Sequence, residues 1–331
     1  GKHKTMSKVC TDISTTYPPS ARNAIAPNPF IAWALTTFRA VEEPQKTAEG
    51  GGKARLISIP VSHFTEKVRW ALDLSGDDYV EDAHPPGMHA HYTLEATKGA
   101  STMVPVLVLP DGKVLTDSSD ILDFIAEKHP ELNLYPAEHK EEIKAFERIV
   151  NEKLAPAVRS MAYTIYGKDA SAKIKIARVF MSHGSVVENM MAPFVLPVMA
   201  GIMTKAFGLS WDRLDEYQKE VMDVFTLVEN KLSDGRQYLF GSSFTAADLT
   251  FAAIANVLVG VPQMSGVFGQ SESYDASPPE LEKRRGQLRS TKAGQHCLKV
   301  YETCRFPEKH GGDGKVRIKT GKVNKILGYR F

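Results

Sequence analysis

At 331 residues the chain exceeds the roughly 100–200 residues of one domain, so two cores are expected. A hydrophobic share of 43%, a charged share of 24% and a formal net charge of +2 fit a globular protein and argue against a dedicated nucleic-acid binder. Of three cysteines, Cys10 lies near the start and Cys297 and Cys304 near the end, which gives neither a disulfide framework nor a paired zinc motif, so a reducing compartment is expected.

Residues 1–52 are rich in Thr, Ser, Ala and Pro, carry one apolar patch, "PFIAWALTTF", and close on "AEGGGK". They read as an extension with one short helix and a flexible linker. A start at Gly1 rather than Met points to a processed, trimmed or tagged chain. Order begins with "ARLISIP", a strand, followed by a helix on which Phe64, Val68, Ala71 and Leu72 share one face and which Gly76 ends. Ser62, His63 and Thr65 stand where that helix starts. A helix start leaves four N–H groups unpaired and carries roughly half a positive charge, so it suits an anion or a thiolate. The plainer reading is that Ser62 or Thr65 only caps the helix.

"DYVEDA" is expected as a second strand and "HPPGMHAHYTLEATKG" as a long irregular connection with one helical turn. "MVPVLVLPDGKVLTD" gives two strands joined at Pro110-Asp111-Gly112, and "SSDILDFIAEKHP" a helix stopped by Pro130. Beyond "ELNLYPAEH" nearly every segment has helical spacing, so an all-helical domain follows. Within it Thr245 and Asp248 form a capping box. "MMAPFVLPVMAGIM", from Met190 to Met203, is short for a membrane span and holds two prolines, so a core helix is expected. From Arg305 to Phe331 eight basic residues face two acidic ones, leaving +6 on the tail and −4 on the rest. Such a tail is a solvated end or a docking arm.

"SHFTEKVRWAL", "VPVLV" with "PDG", "DSSDIL" and "FTAADLTF", in this order and spacing, resemble the glutathione S-transferase family. The resemblance covers Ala54 to Arg305. It implies a thioredoxin-like α/β domain with a mixed four-stranded sheet, followed by an all-α domain. The expected division is extension 1–52, glutathione-binding domain 53–136, helical domain 137–306 and basic tail 307–331.

The resemblance also implies roles. Ser62 takes the place of the residue that faces the glutathione sulfur. Pro105 matches the family's cis-proline, which exposes the backbone of Val104 for pairing with the cysteinyl amide groups. Asp117 and Ser118 match the pair that holds the γ-glutamyl end. A thiol of reference pKa about 8.5 needs about 2.7 kcal/mol to be mostly thiolate at neutral pH. A helix end offers about 0.3–1 kcal/mol and a hydrogen bond to a charged group about 1.5–3, so a hydroxyl at the helix end is the expected solution. Ser62 and Thr65 occupy both positions of a thioredoxin-type C-x-x-C, which argues against thiol exchange through this turn. Met103 departs from the Lys or Gln that many members carry there. His63 either polarises the site or points to solvent. Tyr163 and Tyr166 either line a second-substrate pocket or pack between domains.

His84, His89 and His91 lack companions at zinc spacing, so a solvated loop and no metal are expected. The function implied is an enzyme, a transferase joining glutathione, its co-substrate, to a small electrophile. The alternative is a non-catalytic subunit docked through residues 1–52 and 307–331. Homodimers or larger complexes, no nucleic acid and no transmembrane segment are the partner expectations. The family default is the cytosol, and a processed Gly1 would suit a mitochondrion or plastid.

Overall fold

The computed structural model describes residues 52–168, 170–267, 277–306 and 314–319, with the strand pairs 325–326 and 329–330. The apolar patch at 30–38 and the expected extension lie outside the described residues. Strand β1, Ala54–Ser58, runs parallel to β2, Tyr79–Ala83, in the register Ala54 opposite Tyr79 through Ser58 opposite Ala83. On its other side β1 is antiparallel to β3, Val106–Val108, and β3 is antiparallel to β4, Val114–Leu115, which makes the order β2–β1–β3–β4. The β3–β4 turn is the expected one: Asp111 accepts the Lys113 amide, and Gly112 has a φ of 88° that a β-carbon would disfavour.

Successive residues of a strand point to opposite faces, and β1 uses both. Leu56 joins a large core shared with the helical domain, while Ile57 joins a small second core with Met88, Tyr92 and Val106. Helix α1, His63–Ser75, lies on the Leu56 side and ends at Gly76 with a left-handed φ of 72°. Its Trp70 is fully buried against Tyr301, with ring centroids 4.6 Å apart, and stacks on Phe244 of the helical domain. The connection after β2 is more regular than expected. Helix α2, His89–Ala96, makes two turns there because Ala90, Tyr92 and Thr93 find a buried face. Helix α3, Ser118–Lys128, completes this domain.

The helical domain opens with α4, Lys140–Ile149, which passes through a wider turn at Val150–Leu154 into α5, Ala155–Tyr166. The widened turn fits Pro156, which has no N–H to give to a regular ladder. A hairpin of α6, Ala170–Met181, and α7, Val186–Ala206, follows, then α8, Leu214–Lys231, and α9, Ala246–Val259. Helices α10, Pro279–Arg289, and α11, Lys292–Cys304, close the domain. The Thr245–Asp248 capping box forms, and Asp248 also takes the Leu239 amide and a nitrogen of His296.

Three expectations are overturned. Helix α7 is not a core helix: only Glu188, Ala192, Val195 and Met199 are buried, a narrow face that seals the Ile57 side of the sheet. Pro193 and Pro197 fall on its exposed side, where water can satisfy the carbonyls their missing N–H groups leave. His84 is not in a solvated loop. It is fully buried, with Nε2 2.9 Å from Asp82 Oδ1, Nδ1 against Glu188, and its ring stacked on Tyr92.

The third is the tail, which in residues 315–319 is no free arm. Val316 is fully buried and donates its amide to Gln263, while the Lys319 carbonyl accepts the Glu81 amide at the edge of β2. Lys319 also pairs with Asp73 at 2.8 Å. Arg305 and Lys319 together outweigh the effect of burial and hold the Asp73 carboxyl below its usual range. Further on, Lys325–Ile326 pairs antiparallel with Tyr329–Arg330.

Candidate active site

Pro60 breaks β1, and its carbonyl accepts from the Arg69 guanidinium while the Ser62 amide returns to Ile59. These bonds set Ser62 in an extended conformation, φ −67° and ψ 124°, at the cap of α1. Its Oγ accepts the Thr65 amide at a long 3.4 Å, so capping uses only the acceptor side of the hydroxyl. The O–H remains able to donate elsewhere. Thr65, at the second position of the turn, is fully buried and does not reach the surface.

A second helix start lies beside the first. Asp117 caps α3, accepting the Ser119 amide at 2.7 Å, and is itself exposed. Ser118 is 6% exposed and makes no side-chain hydrogen bond among the described residues. The Val104–Pro105 bond is cis, and Val104 takes no backbone partner among the described residues. Met103 beside it is 46% exposed.

Residues that carry no motif hold these elements together. Lys67, one turn into α1 and fully buried, lies 2.9 Å from Ser119 Oγ on α3 and 2.9 Å from Glu147 Oε1 on α4. Ser119 also accepts from Asn151, and Glu147 accepts from Thr250 and Tyr135. The starts of α1 and α3 are therefore tied to each other and to the helical domain by one buried lysine. Below it, Glu66 takes Arg69 at 2.6 Å and Arg305 at 2.9 Å, and Arg69 forks onto Glu81 at 2.9 and 2.7 Å. A lone lysine or glutamate on a helix reads as a solvated face, so only the three-dimensional pairing exposes this role.

His63 is buried rather than turned to solvent, and its Nε2 has no partner among the described residues. Burial, then the charge of Arg159, pushes its pKa down to about 3, so the ring is neutral near pH 7 and supplies no cation. A cation that acts on His63 is Arg159 on α5. Among the described residues it has no carboxylate partner, its Nε is buried without an acceptor, and it lies 3.9 Å over the ring of Phe207. An arginine on the otherwise apolar run "APAVRSMAY" was the available signal. One turn on, Tyr163 borders a cavity of about 230 Å³ with Lys168, Thr204, Leu209 and Trp211. Tyr166 does not line it and lies instead beside Ser277 and Arg285.

Residues 56–133 match the model for the glutathione S-transferase N-terminal domain, and residues 190–275 that for its C-terminal domain. The probable glutathione S-transferase BZ2 of Zea mays is 37% identical over 71 residues, 22% of this chain and 30% of that protein. Among solved structures, the β-etherase LigF of Sphingobium sp. is similar at 21% identity and a TM-score of 0.47, covering 75% of this chain and 99% of that one. A glutathione S-transferase of Methylobacterium radiotolerans in complex with glutathione sulfonate is similar at 20% identity and a TM-score of 0.44, covering 74% and 94%. With both domain models matched in chain order, on a four-stranded mixed sheet followed by helices, the chain belongs to the glutathione S-transferase family.

Proposed function

We propose that the protein is a glutathione-dependent transferase that presents the glutathione thiolate at Ser62 to a small electrophile. The observation that carries this reading is the pairing of two helix starts, α1 and α3, each with a serine hydroxyl and joined by the Lys67–Ser119 bond. Each start favours an anion through its free N–H groups and dipole. Glutathione offers a thiolate for one and a γ-glutamyl carboxylate for the other, and the Val104 backbone lies ready for the amide groups between them.

Ser62 donates its O–H to the sulfur while keeping its cap bond to Thr65. The half-buried Arg159, which among the described residues has no carboxylate partner, adds positive potential near the same helix start and favours the anionic form. The cavity beside Tyr163, which sets Tyr163, Leu209 and Trp211 among Thr164, Lys168, Thr204 and Ser210, suits a small electrophile with both an apolar part and polar groups. No cysteine stands in the turn, so the sulfur nucleophile is that of glutathione. The subunit reading loses support from the tail, which packs on its own body through Val316 and Lys319.

Calorimetric titration with glutathione tests the reading. Binding between micromolar and low millimolar supports it, as does a weakening of about tenfold or more in Ser118→Ala, the loss of one hydrogen bond to a charged group. No binding by the wild-type chain, or equal affinity in Ser118→Ala, contradicts it.

A further inference from the structure

Helix α7 leaves an apolar stripe open to water. Val186, Met190, Phe194 and Val198, each four residues after the last, are exposed, with Phe194 at 78% and Met190 at 71%. Pro193, Pro197 and Gly201 adjoin them and add no polar group. Among the described residues α7 is the one helix long and apolar enough to cross a membrane. It is pinned along its inner face, however. Met199 and Val195 pack so closely on Gly87 that a β-carbon there would meet Met199 at 2.5 Å, and Ser185 and Glu188 close a capping box against His84. A helix held on one side by a sheet lies along a surface and does not thread it.

Within the α6–α7 hairpin the exposed charges are of one sign. The α6–α7 hairpin exposes Lys173, Arg178 and Lys205, and its one carboxylate, Glu188, is buried. Lys205 ends the stripe itself, seven residues after Val198 and eleven after Phe194. Near this end Trp211 is 38% exposed with Lys168 Nζ 4.0 Å from its ring. We propose that this face docks on the surface of an anionic phospholipid bilayer, with Met190, Phe194 and Val198 entering the headgroup boundary and the lysines and arginine meeting lipid phosphates.

A second copy of the chain fits less well. In a two-fold interface the same patch meets itself, so the cations of one hairpin would face those of the other with no carboxylate to separate them. An anionic membrane supplies the missing charge and takes the apolar side chains without shape complementarity. Phe and Trp on an apolar face beside Lys and Arg are the composition that such interfacial helices share.

Vesicle flotation of the full chain tests the proposal, using phosphatidylcholine alone and phosphatidylcholine mixed with phosphatidylglycerol. The protein is expected to float with the mixed vesicles, far less with the neutral ones, and to be released by high salt. Phe194→Ser with Met190→Ser should lower partitioning by about tenfold or more through lost apolar burial. Lys173→Ala should lower it by about fivefold. Both variants should keep the wild-type melting curve, since these side chains contact little of the fold. A chain that stays in solution with anionic vesicles overturns the proposal, as does unchanged partitioning of the serine variant. A wild-type dimer that dissociates in Phe194→Ser also overturns it and assigns the stripe to a second copy.

Discussion

Glu66, Arg69, Glu81 and Arg305 are fully or almost fully buried between the two domains, whereas Met190, Phe194 and Val198 on α7 stand in water. Each location would look wrong by residue type alone, and each is resolved differently. The buried charges are balanced within the molecule: Glu66 has two guanidinium partners, Glu81 has a forked one and the hydroxyl of Ser58, and Arg305 reaches on to Asp73. Among the described residues the exposed stripe has no such internal answer. Internal pairing makes a region structural, and its absence points outward to a partner.

The largest effect should come from breaking the pairing. Glu66→Ala leaves Arg69 and Arg305 short of a carboxylate in a dry interface and should destabilise the protein by about 3–5 kcal/mol in denaturant unfolding. Removing Lys315 onward uncovers the site of Val316 and frees Asp73 from Lys319, and should cost about 2 kcal/mol. A truncated chain as stable as the full one would show that the tail is a loose arm after all.

A smaller effect is read through pH. His63 is lowered to about 3 in the folded protein against 6.5 in an ordinary setting. Between these values the unfolded chain binds the proton and the folded chain does not, so stability is fully present above about pH 6.5 and declines as pH falls toward 3. The contribution is up to about 1.4 kcal/mol per pH unit. His63→Phe should flatten that part of the profile, and an unchanged slope would mean the ring is hydrated. Smallest of all, Phe194→Ser should change stability by less than about 0.5 kcal/mol, which would separate a surface waiting for a partner from a packed core.

Features whose causes are local were legible in the sequence. The β1 run, the Gly76 stop, the Pro110-Asp111-Gly112 turn and the Thr245–Asp248 box each act over a few residues, and their residue types alone imply them. The scaffold beneath the candidate site was not legible, because its bonds join distant positions. Arg305 meets Glu66 across 239 residues and Lys67 meets Ser119 across 52, with no spacing rule to foretell either. His63 was misjudged for the same reason: a first-turn side chain is expected outside until a second domain covers it. Helix α7 misled in the other direction, since apolar composition alone does not say which face a neighbouring sheet will take.

The hydroxyl of Ser62, at the start of α1, is proposed to stabilise a bound thiolate. Ultraviolet titration of the glutathione thiolate in the wild-type complex and in Ser62→Ala tests it most directly. The wild-type thiol should titrate well below about 8.5, and the variant should raise that value by about 1–2 units with the fold intact. An equal thiol pKa in both proteins would leave Ser62 a helix cap and contradict the account.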